Sequence, residues 1–195
     1  MKKLFCYFLL ISLSVSAQKR NNFNFEIKGN TYTGIGNNYI ADGTGTFTGF
    51  GIGLGFFVVK NFGLGFEFNN AYGKVKDPSV FGELRSPQWS SGEIYAFYRH
   101  PFSERFDAEG FIGSGFHSMV SKSNYSSKDF REGGSSFLLG AKALYSISSN
   151  KKIFVFASPK FYFLTNFTEM DDSAVQKYYA EPTLFNFSLG LRFYL

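Results

Sequence analysis

The 195-residue sequence predicts an all-β fold, an eight-stranded antiparallel up-and-down transmembrane β-barrel. Three observations carry that reading. Apolar side chains recur at every second residue in eight separate stretches, the period of a strand with two unlike faces. The connections between these stretches alternate between short and long, the layout of strands that cross a bilayer back and forth. Finally, 27 Phe and 12 Tyr occur at a mean hydropathy near zero, so much ring surface is carried without long apolar runs.

The chain opens with Met1-Lys2-Lys3, followed by the apolar run Leu4 to Ala17 with the small-x-small ending Val15-Ser16-Ala17. This reads as a cleaved signal peptide over residues 1–17, leaving a barrel domain over residues 18–195. The run is shorter than the ~20 residues a membrane-spanning helix needs. Cys6 is the only cysteine, so a processed chain carries neither disulfides nor a thiolate metal site. The formal charge of +5 falls by two once Lys2 and Lys3 are removed. That is too mild a charge to argue for nucleic acid.

The first strand, about 22–32, sets Phe23, Phe25 and Ile27 against Asn24, Glu26 and Lys28. The second, about 46–59, places Gly49, Gly51, Gly53 and Gly55 between Phe50, Ile52, Leu54 and Phe56. A dinucleotide fingerprint needs G-x-G-x-x-G opening a helix, and a linker would be polar. A spacing of two instead describes a strand with one bare face, suited to the cramped inner wall of a narrow barrel. The third strand, about 62–73, sets Leu64, Phe66 and Phe68 against Gly63, Gly65 and Glu67. In the fourth, about 91–102, Ile94, Ala96 and Tyr98 face away from Glu93, Tyr95, Phe97 and Arg99. In the fifth, about 105–119, Phe106, Ala108, Ile112 and Phe116 face away from Asp107, Glu109, Phe111 and His117. The sixth, about 135–148, alternates Phe137, Leu139, Ala141, Ala143 and Tyr145 with Leu138, Gly140, Lys142 and Leu144. The seventh, about 152–164, alternates Ile153, Val155, Phe161 and Phe163 with Phe154, Phe156, Lys160 and Tyr162. The last, about 182–195, alternates Phe185, Phe187, Leu189, Leu191 and Phe193 with Asn186, Ser188, Gly190, Arg192 and Tyr194. Short turns fall at Lys60-Asn61, Ser103-Glu104 and Ser149 to Lys151, and long loops at about 33–45, 74–90, 120–134 and 165–181.

A soluble barrel of the lipocalin type would turn its apolar face inward. Here the polar face is crowded with glycine and balanced charge, and rings such as Phe62, Tyr72, Tyr98, Phe102, Phe106, Phe163, Phe185 and Phe193 gather near strand ends. Both features favour lipid outside. An eight-stranded interior is just wide enough for side chains to fill. Parity assigns to it Glu26, Lys28, Glu67, Glu93, Arg99, Asp107, Glu109, Lys142, Lys160 and Arg192, five acids and five bases. Buried charges persist only when paired, so the expectation is a lumen plugged by a neutral network rather than a diffusion pore. The glycines at 49–55 and 63–65 are expected to make room for these chains and for Phe111, Tyr162 and Tyr194.

The ending "SLGLRFYL" places Ser188, Gly190, Phe193 and Leu195 at the spacing polar-x-Gly-x-x-aromatic-x-apolar. It resembles the terminal signal by which outer-membrane barrels are recognised by the barrel-assembly machinery. With the leader, the chain resembles the small eight-stranded bacterial outer-membrane barrels of the OmpA/OmpX transmembrane-domain type. That resemblance implies export to the outer membrane of a Gram-negative bacterium and contact with outer-membrane lipids and lipopolysaccharide. It also implies a monomer that needs no cofactor. Members of the group serve as anchors, adhesion or resistance proteins, and occasionally as lipid-modifying enzymes, so fold alone does not choose a role.

Candidate chemistry is sparse. His117-Ser118 hints at a hydrolase, but adjacent strand residues face opposite sides, so Ser118 is poorly placed for His117 to activate; His100 is the only other histidine. Glu169, Asp171, Asp172 and Glu181 make the last long loop acidic against Lys177, without the fixed spacing of a cation loop. Asp172-Ser173-Ala174 is similar to a short O-glycosylation acceptor. The middle loops carry Lys74, Lys76, Arg85, Lys122, Lys128 and Arg131, largely offset by Asp77, Glu83, Asp129 and Glu132. These cations are candidates for lipopolysaccharide phosphates. The reading is therefore a non-catalytic scaffold for extracellular loops, with a lipid-modifying hydrolase or a narrow pore as alternatives.

Overall fold

The computed structural model describes residues 23–125, 129–166 and 172–195. Eight strands form one closed antiparallel barrel in sequence order: β1 (Phe23–Ile35), β2 (Phe47–Val59), β3 (Phe62–Tyr72), β4 (Leu84–Pro101), β5 (Phe106–Ser123), β6 (Asp129–Ser146), β7 (Ile153–Asn166) and β8 (Thr183–Tyr194). Three short helices lie between strands: α1 (Tyr39–Gly43), α2 (Pro78–Phe81) and α3 (Ser173–Ala180). The barrel shuts where β1 pairs with β8, from Asn24 opposite Tyr194 to Ile35 opposite Thr183. Closure satisfies every ladder without a free edge, which a sheet in hydrocarbon requires.

Strands β4, β5 and β6 are each 18 residues long, longer than the expected 91–102, 105–119 and 135–148. Much of what the sequence suggests to be loop is therefore strand. The physical reason is that the apolar band of such a barrel is only ~25 Å tall. Eighteen residues at ~3.3 Å each reach about 60 Å. Above the band, outward positions become polar (Gln88, Ser90, Ser118, Lys122, Arg131) and the apolar alternation that marks a strand is lost. An irregularity between Arg85 and Gln88, with Ser86 at φ 51°, further disguises the start of β4.

The barrel is apolar outside and polar inside. Ile52, Leu139 and Leu189 are among the exposed apolar residues, while Glu26, Glu109, Lys142, Lys160 and Arg192 are each 1% exposed. Ring girdles stand outward at Phe62, Tyr72, Tyr98, Phe102, Phe106 and Phe163. The interior has an upper cluster around Tyr32, Phe47, Trp89 and Tyr162. A lower cluster comprises Leu144, Phe154, Phe156 and Tyr194. No helix among the described residues is long and apolar enough to cross a membrane.

Candidate functional site: the charged lumen and its outer cap

The luminal site begins with cross-strand pairs. Directly opposite inner glycines stand aromatic residues of the neighbouring strand: Gly63 faces Phe97, Gly65 faces Tyr95, Gly140 faces Phe111 and Gly190 faces Phe156. A Cβ at Gly65 would come within 2.3 Å of the Tyr95 ring, and one at Gly140 within 2.5 Å of the Phe111 ring. Each glycine is a seat for a ring lying flat along the inner wall. The rings beside 63–65 are thus Tyr95 and Phe97, while Phe111 sits on Gly140. Gly51 and Gly53 abut Lys28, Glu26, Glu67 and Asn69.

Between those rings run the charges. Glu67 receives Lys28, Lys160 at 2.7 Å, Lys142 at 3.6 Å and the Tyr95 hydroxyl at 2.9 Å. Glu93 receives Lys160 at 2.5 Å, Tyr162 Oη at 2.6 Å, Asn69 Nδ2 at 2.7 Å and Ser91 Oγ at 2.9 Å. Glu26 holds Lys142 Nζ at 2.7 and 2.9 Å and Arg192 Nε at 2.5 Å. Arg192 reaches on to both oxygens of Glu109. Lower down, Arg99 pairs with Asp107 and the Tyr194 hydroxyl, and its guanidinium lies 4.9 Å from the centre of the Phe154 ring. Tyr194 also accepts from Arg192 at 3.1 Å. The ten parity-assigned charges therefore occupy the inner wall as one linked chain, equal in acids and bases. Lys142 and Lys160 lie against rings, with Lys142 Nζ 4.7 Å from the Phe156 centroid and Lys160 Nζ 5.3 Å from that of Tyr162, contacts strengthened by desolvation.

Above this network, a cap closes the mouth. Tyr39 of α1 stacks on Phe81 of α2 at 6.1 Å and 10°, and meets Tyr179 of α3 at 5.4 Å. Its hydroxyl donates to Glu132 Oε2 at 2.6 Å. Asn166, at the end of β7, donates to Glu132 Oε1 at 2.9 Å and to the Tyr179 carbonyl at 2.8 Å. Its Oδ1 lies 2.8 Å from His117 Nε2, so that ring nitrogen carries the proton. His117 in turn stacks on Trp89 at 4.9 Å and 10°. Burial, then the Glu132 carboxylate, raise the Tyr39 phenol above its ordinary pKa. A second staple joins Tyr178 Oη to Asp42 at 2.9 Å, and burial with that bond pushes the phenol up to about 12. Asp77 caps α2, and the Ser79 hydroxyl and amide hold its carboxyl below the usual range. Sequence reasoning missed this cap. Asn166 lies in what reads as loop, and no local pattern signals a residue whose partners come from other elements.

The remaining candidates fall as follows. Ser118 faces the outer side of β5 while His117 faces in, and Ser91, the inward partner of His117 on β4, donates its hydroxyl to Glu93 at 2.9 Å, so no Ser–His hydrogen bond forms among the described residues. Among the described residues, no three of His, Asp or Glu gather as a metal-ligand set. Glu169, Asp171 and residues 1–22, including the leader, lie outside the described residues, as does Lys128. On β8, Ser188 Oγ donates to Asn30 at 2.7 Å, Gly190 faces Lys28 and Phe193 faces Phe25 and Ile153; just past it, the Leu195 amide donates to the Phe23 carbonyl at 3.2 Å. Ser188, Gly190 and Phe193 thus lie on the strand that closes the barrel, and Leu195 directly follows it.

This lipid-side-out, charge-side-in barrel is of a known kind. Neisserial surface protein A is similar at a TM-score of 0.64 with 11% identity, covering 89% of this chain and 97% of that one. Ail, the attachment invasion locus protein of Yersinia pestis, matches at 0.54 with 14% identity over 88% and 99%. OprG of Pseudomonas aeruginosa, an outer membrane protein, matches at 0.56 with 13% identity over 88% and 95%. The fold is thus that of the small eight-stranded outer-membrane barrels. No family model matches the chain, and no curated protein matches its sequence.

Proposed function

We propose that the chain is an integral outer-membrane protein of a Gram-negative bacterium. It is exported by a cleaved leader and folded by the barrel-assembly machinery through Ser188, Gly190, Phe193 and Leu195. Its barrel acts as a non-catalytic scaffold, presenting a loop cap for surface interaction, adhesion or envelope integrity. The observation that carries this reading is the pairing of an apolar exposed wall with a lumen filled by a charge-balanced network. Such a lumen suits rigidity rather than transport, because moving a solute through it would break several buried ion pairs at once. The hydrolase alternative lacks a serine hydrogen-bonded to His117 among the described residues, since Ser91, opposite it, gives its hydroxyl to Glu93, and a pore would have to break the buried ion pairs that cross the lumen.

The test is fractionation and electrophoresis. The mature protein is expected in the outer-membrane fraction, with slower gel migration after boiling than before, and to show no stable conductance in planar bilayers. Recovery as a soluble periplasmic protein contradicts the membrane reading. Steady conductance, altered by Arg99→Ala or Arg192→Ala, contradicts the plugged one. A changed envelope lipid profile that depends on His117 would restore the enzyme.

A further inference from the structure

We propose that the outer wall over β3 to β6 binds one phosphorylated, multiply acylated glycolipid of the outer leaflet. The proposal rests on the outer-membrane reading above and names a partner for one flank of that wall. Strand register lays out the site in rows. Phe68, Gly92 and Phe116 are direct partners across β3, β4 and β5. Two residues further up, ~7 Å along the strands, lie Asn70, Ser90 and Ser118. The next rows bring Arg131 opposite Val120, then Arg85 opposite Lys122 opposite Asp129.

Each row offers different chemistry. At the lowest, Gly92 leaves a gap between the two rings, and Phe50 and Ile52 extend it into a groove of about 520 Å³. That volume lies within the ~300–1,000 Å³ of small-ligand sites. Among the described residues, three of the four most exposed phenylalanines are Phe116, Phe68 and Phe50, at 72, 64 and 63%. Elsewhere on the wall rings lean on each other, as Phe161 does on Phe185; here they stand apart around the glycine. The middle row supplies an amide and two hydroxyls where a sugar would sit. At the top, Arg85, Lys122 and Arg131 outnumber Asp129, and no ion pair or hydrogen bond among the described residues engages any of the three cations.

The outward strand ends on the opposite wall carry no such charge. The upper outward positions of β7, β8, β1 and β2 are Thr165, Thr183, Thr33 and Thr48. Acyl groove, polar shelf and unpaired cations stacked on one flank match the order of parts in an acylated disaccharide phosphate. A simple phospholipid has no sugar to meet the shelf, and a free phosphate has nothing for the groove.

The experiment inserts the full mature protein into phosphatidylcholine vesicles containing a trace of either diphosphoryl lipid A or its dephosphorylated form. The barrel is then released in mild detergent, and retained lipid is counted by native mass spectrometry. Heat-modifiable migration of the same sample reports insertion separately, so a chain that never inserts indicts the outer-membrane reading and not this site. For inserted protein, about tenfold greater retention of the phosphorylated lipid is expected at 0.15 M salt. The triple variant Arg85→Ser, Lys122→Ser, Arg131→Ser should lose that preference. Gly92→Leu, which fills the groove from the lipid side, should weaken both lipids alike. Equal retention of the two lipids by wild type, or a preference surviving the triple variant, overturns the proposal. So does full displacement of lipid A by soluble glucosamine bisphosphate, which would leave the groove without a role.

Discussion

Lys160 connects Glu67 to Glu93 at 2.7 and 2.5 Å with its side chain 1% exposed, and it shows what holds the lumen at the scale of a residue. Removing one partner of a buried pair strands a charge that water cannot reach. Lys160→Met is therefore expected to cost about 3–5 kcal/mol, measured as a lowered urea midpoint of the refolded barrel in detergent. Lys74→Met, at an exposed loop position, should change stability by no more than ~0.5 kcal/mol. The glycine seats make a second prediction. Gly65→Val drives a side chain into the Tyr95 ring and should destabilise by about 1–3 kcal/mol. Adding it to Tyr95→Ala should cost clearly less, because the clash is gone. Parity alone places Gly65 and Lys160 on the inner side. It does not tell which ring lies on which glycine, because that depends on register. One sequence shows each strand's pattern but not its alignment to the next.

At the scale of the element, the three short helices act together because Tyr39, Asn166 and Glu132 tie them to the top of β6 and β7. Asn166→Ala removes the donors to Glu132 and the Tyr179 carbonyl together with the partner of His117. The expected result is faster proteolysis within the cap with the barrel still heat-modifiable; unchanged proteolysis would refute the latch. The Tyr178–Asp42 staple has a pH signature. A phenol whose folded pKa is raised contributes stability that is full below its ordinary value near 10 and is lost as pH rises toward about 12. The difference in absorbance titration between wild type and Tyr178→Phe should thus show a phenol ionising near 12, with cap protection falling across that window. Strand existence was readable at this scale because the apolar band imposes alternation. The upper halves of β4 to β6 were not, since above the apolar band their outward positions turn polar and the alternation is lost. The helices were hidden for a related reason: α1 and α2 span only five and four residues, too few for a periodic signal.

For the whole molecule, the account rests on inversion: rings turned to lipid, charges turned to the axis, and a closed ladder in place of disulfides. The barrel's architecture was legible because bilayer physics constrains every strand in the same way. The partner at the mouth was not, because loops in water answer to no shared constraint. Sidedness can be measured directly. Cysteine is absent after residue 6, so single cysteines can be introduced on a clean background. The outer set is Ile52→Cys, Leu139→Cys and Leu189→Cys. The inner set is Ser136→Cys, Ser158→Cys and Ser188→Cys, at positions no more than 4% exposed. A lipid-soluble thiol reagent confined to the bilayer should label the first three and leave the second three untouched. Labelling of the serine-derived set with silence at Ile52, Leu139 and Leu189 would contradict the account.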